Sequence, residues 1–188
     1  MTNETIKTML RRYSCRAYTD KTPADEDLRI IANAAVAAPS AMNLQRWHVI
    51  VVKNKELIQD MEAEGMRIIA NMEDKSTYER IMSRGGKLYY NAPCMIVIAV
   101  PKSENPGSEL LDCGIVTQNI ALAATSLGID NVICGMTRLC LSEERADELK
   151  QRLGFPEGYD FGMSVLLGYA QAPGKPHEPD MGKVSFVE

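Results

Sequence analysis

Between Pro93 and Pro101 the chain reads Cys94-Met95-Ile96-Val97-Ile98-Ala99-Val100, an apolar run with no polar interruption. A strand with one wet face alternates apolar and polar side chains, whereas a strand apolar at every position must be covered on both faces. Pro93 to Val100 is therefore predicted as a buried central strand. It is far too short to span a bilayer.

Candidate covering elements flank it on both sides in sequence. The first fourteen residues predict a short helix with Ile6, Met9 and Leu10 on one face. Thr22-Pro23-Ala24-Asp25 reads as a helix start, with Thr22 as N-cap and Pro23 in the first turn, and Leu28, Ile31, Ala32, Ala35 and Ala38 then recur at helical spacing. Pro39 ends that helix. Others are predicted from Lys55 to Met72, from Glu109 to Leu127, and from a Ser142 cap to Leu153, with Gly128 and Gly154 placed to stop the last two. The 109–127 helix is apolar on most faces, which predicts a place in the core or at a subunit interface.

Further strands are predicted at Trp47 to Val52, Val132 to Met136 and Phe161 to Tyr169, with Val184 to Val187 as a candidate last one. The stretch 74–91 mixes charge, Gly85-Gly86 and two tyrosines, and reads as a helix fragment with a mobile loop, a candidate lid. Strands and helices alternate irregularly, so the fold class is α+β or a mixed three-layer arrangement, not a βαβ series. With no repeat and no linker, residues 1–188 are expected to form a single domain.

A net charge of −4 opposes bulk binding to nucleic acid or to anionic membranes, so an anionic ligand would need a local cluster of cations. The five cysteines are odd in number, form no CxxC pair and lie partly in apolar runs, which points to neither a disulfide framework nor a zinc site. With no apolar signal segment at the start, a reducing, cytoplasmic location is expected.

Three segments are dense in groups that bind ligands. Arg11-Arg12-Tyr13-Ser14-Cys15-Arg16 combines guanidinium forks with a hydroxyl, donors suited to an oxyanion, although a charge run also reads as a solvated helix end. Pro39-Ser40-Ala41-Met42-Asn43-Leu44-Gln45-Arg46-Trp47 offers side-chain amides that can read the edge of a heterocycle, or an ordinary loop leading to a core tryptophan. Cys134-Gly135 ends a predicted strand, where a glycine lets a ligand approach the backbone or simply makes a turn. The chain has no GxGxxG after its first strand, no P-loop, and no carboxylate or histidine cluster for a metal. His48 and His177 offer no convincing triad. Without an obvious side-chain catalyst, cofactor chemistry is favoured.

Taken in order, these segments resemble the nitroreductase family. Arg11 to Arg16 is similar to the family's R-R-S-x-R motif, here with Tyr13 between the second arginine and the serine. Ala38 to His48 is similar to its A-P-S-x-x-N-x-Q-P-W-x motif, with Arg46 where proline is usual. Ala92-Pro93, Gln118-Asn119 and the Leu-Gly-Tyr ending at Tyr169 match weaker family positions. The resemblance implies a three-layer fold, with a mixed and mostly antiparallel central sheet flanked by helices, in an intertwined homodimer.

It also implies FMN as cofactor, with NAD(P)H as hydride donor and a nitroaromatic or quinone as small-molecule acceptor. Arg12, Tyr13, Ser14 and Arg16 would meet FMN, with Arg12 and Ser14 at the phosphate and ribityl end and Arg16 at the N1–O2 edge of the ring. Pro39, Ser40, Ala41, Asn43 and Gln45 belong to the segment that reaches FMN from the other subunit. The backbone at Cys134 and Gly135 would approach N5, and Lys175 and His177 would close on the phosphate. No metal and no catalytic side chain are implied. The alternatives are a flavin reductase or another specialised member, and a non-catalytic FMN-binding redox sensor.

Overall fold

The computed structural model describes residues 3–103 and 107–188. The first two positions of the predicted N-terminal helix, and residues 104–106, lie outside them. Among the described residues there are six α-helices: α1 (Glu4–Arg11), α2 (Asp25–Val36), α3 (Lys55–Asn71), α4 (Ser76–Met82), α5 (Ser108–Ser126) and α6 (Ala146–Leu153). Four strands, β1 (His48–Val52), β2 (Cys94–Pro101), β3 (Asp130–Ile133) and β4 (Tyr159–Gly168), form one sheet in the order β1-β2-β4-β3. Every strand pair is antiparallel, and the parallel element of the expected mixed sheet shrinks to an isolated bridge between Ser14 and Asn131.

The apolar run is β2, internal to the sheet and covered on both faces. Cys94, Ile96, Ile98 and Val100 point to one side, into a cluster with Leu28, Ile31 and Ala35 of α2 and Val116, Ile120 and Ala124 of α5. Met95 and Val97 point to the other, against Leu57, Ile58 and Met61 of α3 and Leu149 and Leu153 of α6. Full burial of each large apolar side chain contributes roughly 1.5–3 kcal/mol, which is why the run dictates three layers. The register slips between Ile98 and Ala99, where Met163 and Phe161 are their partners and Gly162 is skipped. A Cβ on Gly162 would lie 2.8 Å from the Cys113 sulfur and 3.1 Å from the Ile98 carbonyl, so the bulge brings β4 close to its neighbours.

Several predicted boundaries are corrected. Thr22 does not cap α2: the helix begins at Asp25 after an extended Ala24, with three carboxylates in its first turn favoured by the helix dipole and Lys53 paired to Asp25. Residues 130–131 join β3 although Asp and Asn disfavour strands, because their side chains bond to α5 and the N-terminal segment. Residues 135–141 are a 3-10 turn in place of the strand end expected at 134–136. Ser142 bonds back to the Arg138 carbonyl to close that turn, and α6 starts only at Ala146. Residues 184–187 form no strand and are exposed. The expected mobile lid is pinned in its second half. Leu88 and Tyr89 are buried, the Tyr89 N–H donates to Glu62 at 2.7 Å, and the Tyr90 carbonyl accepts from Tyr18.

All five cysteines are buried free thiols. Burial pushes Cys94 up to about 12 and Cys113 and Cys140 to about 11, so these sulfurs stay protonated and act as small hydrophobes.

Candidate functional site

The N-terminal basic segment lies along the open edge of β3. Ser14 bridges Asn131 in the parallel sense, and the Cys15 N–H donates to the Asn131 carbonyl at 2.9 Å. The two chains therefore run the same way at this bridge: Arg12 precedes it, towards the start of β3, and Cys134 and Gly135 follow the end of the strand. From Arg12 to Arg16 an extended chain covers about 13 Å. Arg12 lines a groove of about 460 Å³ with Arg11, Thr125, Gly128 and Asn131. Arg11 itself is committed, donating to the Thr125 carbonyl at the end of α5. At the other end, a Cβ on Gly135 would meet no atom nearer than the Met163 sulfur at 3.9 Å, so the backbone there is open to close approach.

Asn131 holds this edge to the helix layer. Its amide N–H groups donate to the Ala121 carbonyl and the Thr125 hydroxyl, while its buried side-chain oxygen has no partner. Asp130 beside it accepts the Tyr13 hydroxyl at 2.7 Å on one oxygen and the Ala170 N–H at 2.8 Å on the other. Tyr13 is raised to about 12, chiefly by burial and then by Asp130. Its hydroxyl thus faces Asp130. Asp130 and Asn131 escaped the sequence reading. The signal was a polar pair opening a strand, where propensity alone argues against both.

The C-terminal tail arrives at the same edge. Tyr18 bridges Ala170, and Gln171 bonds to the Ala17 and Tyr18 carbonyls. Gly174 then packs on the Tyr13 ring, and the exposed Lys175 follows at once. Arg12 and Lys175 are the sequence neighbours of the two halves of that contact. His177 is exposed two residues further on.

The amide-rich loop is elsewhere. Pro39 to Gln45 sits by the first turns of α5, where the Ala41 N–H donates to Asp112 and Arg46 pairs with Glu109 at 3.1 Å. The loop is shaped by its own side chains: the Gln45 N–H donates to the Ser40 hydroxyl, and the Gln45 side-chain amide to Asn43. Met42, Asn43 and Gln45 adopt positive φ, and Met42 stands 87% exposed. Asp112 and Thr125 mark the two ends of α5, about 20 Å apart along the axis. One chain therefore does not bring Asn43 to Arg12. His48 is exposed on the opposite edge strand, three strand positions from β3, and is remote from this site.

The nitroreductase family model matches residues 9–169. A nitroreductase of Desulfitobacterium hafniense, solved with bound FMN, is 58% identical, with a TM-score of 0.97 and full coverage of both chains. A nitroreductase of Bacteroides fragilis, also solved with bound FMN, is 30% identical, with a TM-score of 0.89 and full coverage of both. An Archaeoglobus fulgidus protein provisionally named NADH dehydrogenase/NAD(P)H nitroreductase is 37% identical over 169 residues, covering 88% of this chain and 85% of its own. Among the described residues no helix is long and apolar enough to cross a membrane.

Proposed function

This chain belongs to the nitroreductase family, and on that premise we propose that it is an FMN-dependent oxidoreductase. It takes hydride from NAD(P)H and passes it to a small organic acceptor such as a nitroaromatic or a quinone, in alternating half-reactions. The observation that carries the reading is directional. Ser14 bridges Asn131 in the parallel sense, with Arg12 and its groove towards the start of β3 and the open Cys134–Gly135 backbone beyond its end. That polarity fits a ligand with an anionic end and a flat end, and FMN is one.

Arg12 and Lys175 would hold the phosphate, joined by His177 when it is protonated. Ser14 would bond the ribityl chain. Arg16 would lie at the N1–O2 edge and offset negative charge gained on reduction. The backbone at Cys134–Gly135 would flank the reacting edge of the ring, where the absent Cβ leaves room. Pro39, Ser40, Ala41, Asn43 and Gln45 would come from a second copy. When bound, FMN supplies hydride acceptance and delivery at N5, chemistry that the side chains do not offer. The exposed apolar residues Leu110, Leu111 and Ile115 of α5 support an assembly of two copies, expected in the cytoplasm as one domain per chain.

The test is direct. The purified protein should carry or take up one FMN per chain, and NADH or NADPH should bleach its absorbance without oxygen. Added nitroaromatic or quinone should restore the colour, with parallel-line kinetics. Preferred turnover of free flavin would mark a flavin reductase, and bleaching without any productive acceptor a redox sensor. A protein that takes up no FMN would overturn the reading.

A further inference from the structure

We infer that Tyr13 is a positioning residue that latches the C-terminal tail to the N-terminal basic segment, so that cations from both ends of the chain face one anionic group. This rests on the flavin reading for the identity of that group, although the latch itself is a property of the chain alone.

Three contacts define it. The Tyr13 hydroxyl donates to Asp130 at 2.7 Å, and the other Asp130 oxygen takes the Ala170 N–H at 2.8 Å. One carboxylate thereby ties the segment before Ser14 to the strand end at which the tail departs. Gly174 meets the face of the ring so closely that an added Cβ would lie 2.0 Å from a Tyr13 ring carbon. Only a residue without a side chain fits there while the ring stays in place.

The latch is the last hold on the tail. Beyond Gly174, the hydrogen bonds of the described tail are internal to it, running from Gly182 and Lys183 to Asp180 and from Val184 to Met181. Lys175 thus takes its direction from the Gly174 contact. The arrangement also manages a liability. A carboxylate beside a phosphate site would repel the ligand, but each Asp130 oxygen faces a donor whose dipole partly screens its charge. Tyr13 supplies one of those donors, so its loss would free the tail and bare the carboxylate together.

Two variants test this by different routes. Tyr13→Phe keeps the ring on Gly174 and removes the hydroxyl. Gly174→Ala keeps the hydroxyl and displaces the ring. Hydrogen exchange on the ligand-free protein should show the Ala170 and Gln171 amides, bonded to Asp130 and to the Ala17 carbonyl, exchanging about tenfold faster in both variants, the scale of one lost hydrogen bond to a charged group. FMN affinity should fall by a similar factor, while affinity for riboflavin, which lacks the phosphate, stays unchanged. Unaltered exchange in both variants, or an equal loss for FMN and riboflavin, would overturn the latch. If the wild-type protein binds neither flavin, the flavin reading fails and the exchange measurement alone decides the latch.

Discussion

Arg16 shows how much of the site a single side chain can test. It is exposed, and its guanidinium donates to the Ser14 carbonyl at 3.4 Å, a weak tie that leaves most of its five N–H donors available. A cation at the ring end favours the reduced, more negative flavin over the oxidised one. Arg16→Ala should therefore move the midpoint potential of the bound flavin to a more negative value with a smaller change in affinity for oxidised FMN. An unmoved potential in a redox titration would remove Arg16 from the ring end. Gly162 tests the fold in the same way. A methyl there meets the Cys113 sulfur, the Ile98 carbonyl and Val100 at once, with no flexible end to yield except the thiol. Gly162→Ala should cost about 1–3 kcal/mol by overpacking, visible in thermal unfolding. The candidate ligand residues could be named from sequence because arginines, a serine and amides announce their chemistry by type. Asp130 and Asn131 were not, because their function is to hold Tyr13, Ala170 and α5, and only the folded chain brings those partners to them.

At the scale of elements, helices with a clear period were legible to within a few residues, as α3 and α5 show. What periodicity missed were ends decided by tertiary hydrogen bonds: the start of β3, the 3-10 turn after it, and Ser142 turned back on that turn. The join between α3 and α6 is another such feature. Asp60 of α3 accepts from Arg145 at 2.8 Å and from Arg152, and both arginines also pair with Glu148. Hydrogen bonds from Arg145 and then Arg152 hold Asp60 down at about 2. A depressed folded value means stabilisation that is present above the unfolded value of about 3.9 and lost as pH falls through about 2. Asp60→Asn should flatten the fall in stability between about pH 4 and pH 2, and lower stability at neutral pH by about 1 kcal/mol, since the network is partly exposed. Denaturant titrations of both proteins at pH 3 and pH 7 check this; equal differences at the two values would detach Asp60 from acid stability.

At the scale of the whole molecule, α5 decides what one chain can and cannot do. It is about 28 Å long, with the basic edge at its end and the amide-rich loop at its start. A site that needs both must take them from two copies. Apolar side chains along α5 offer the surface for that, Leu111 at 73% exposure among them. Leu111→Asp should shift the protein towards monomer in light scattering and weaken FMN binding with it, since each copy would lose the loop of the other. A sharper test uses two defects. A chain with Arg12→Ala and a chain with Asn43→Ala should each bind FMN weakly as pure homodimers, because every site then carries one damaged half. In a mixed dimer the defects segregate: one site receives both substitutions and the other receives none. Half of the wild-type tight sites should then return, though neither chain is intact. If mixed dimers form and bind no better than their parents, the two segments serve the same chain's site, and the shared-site reading falls.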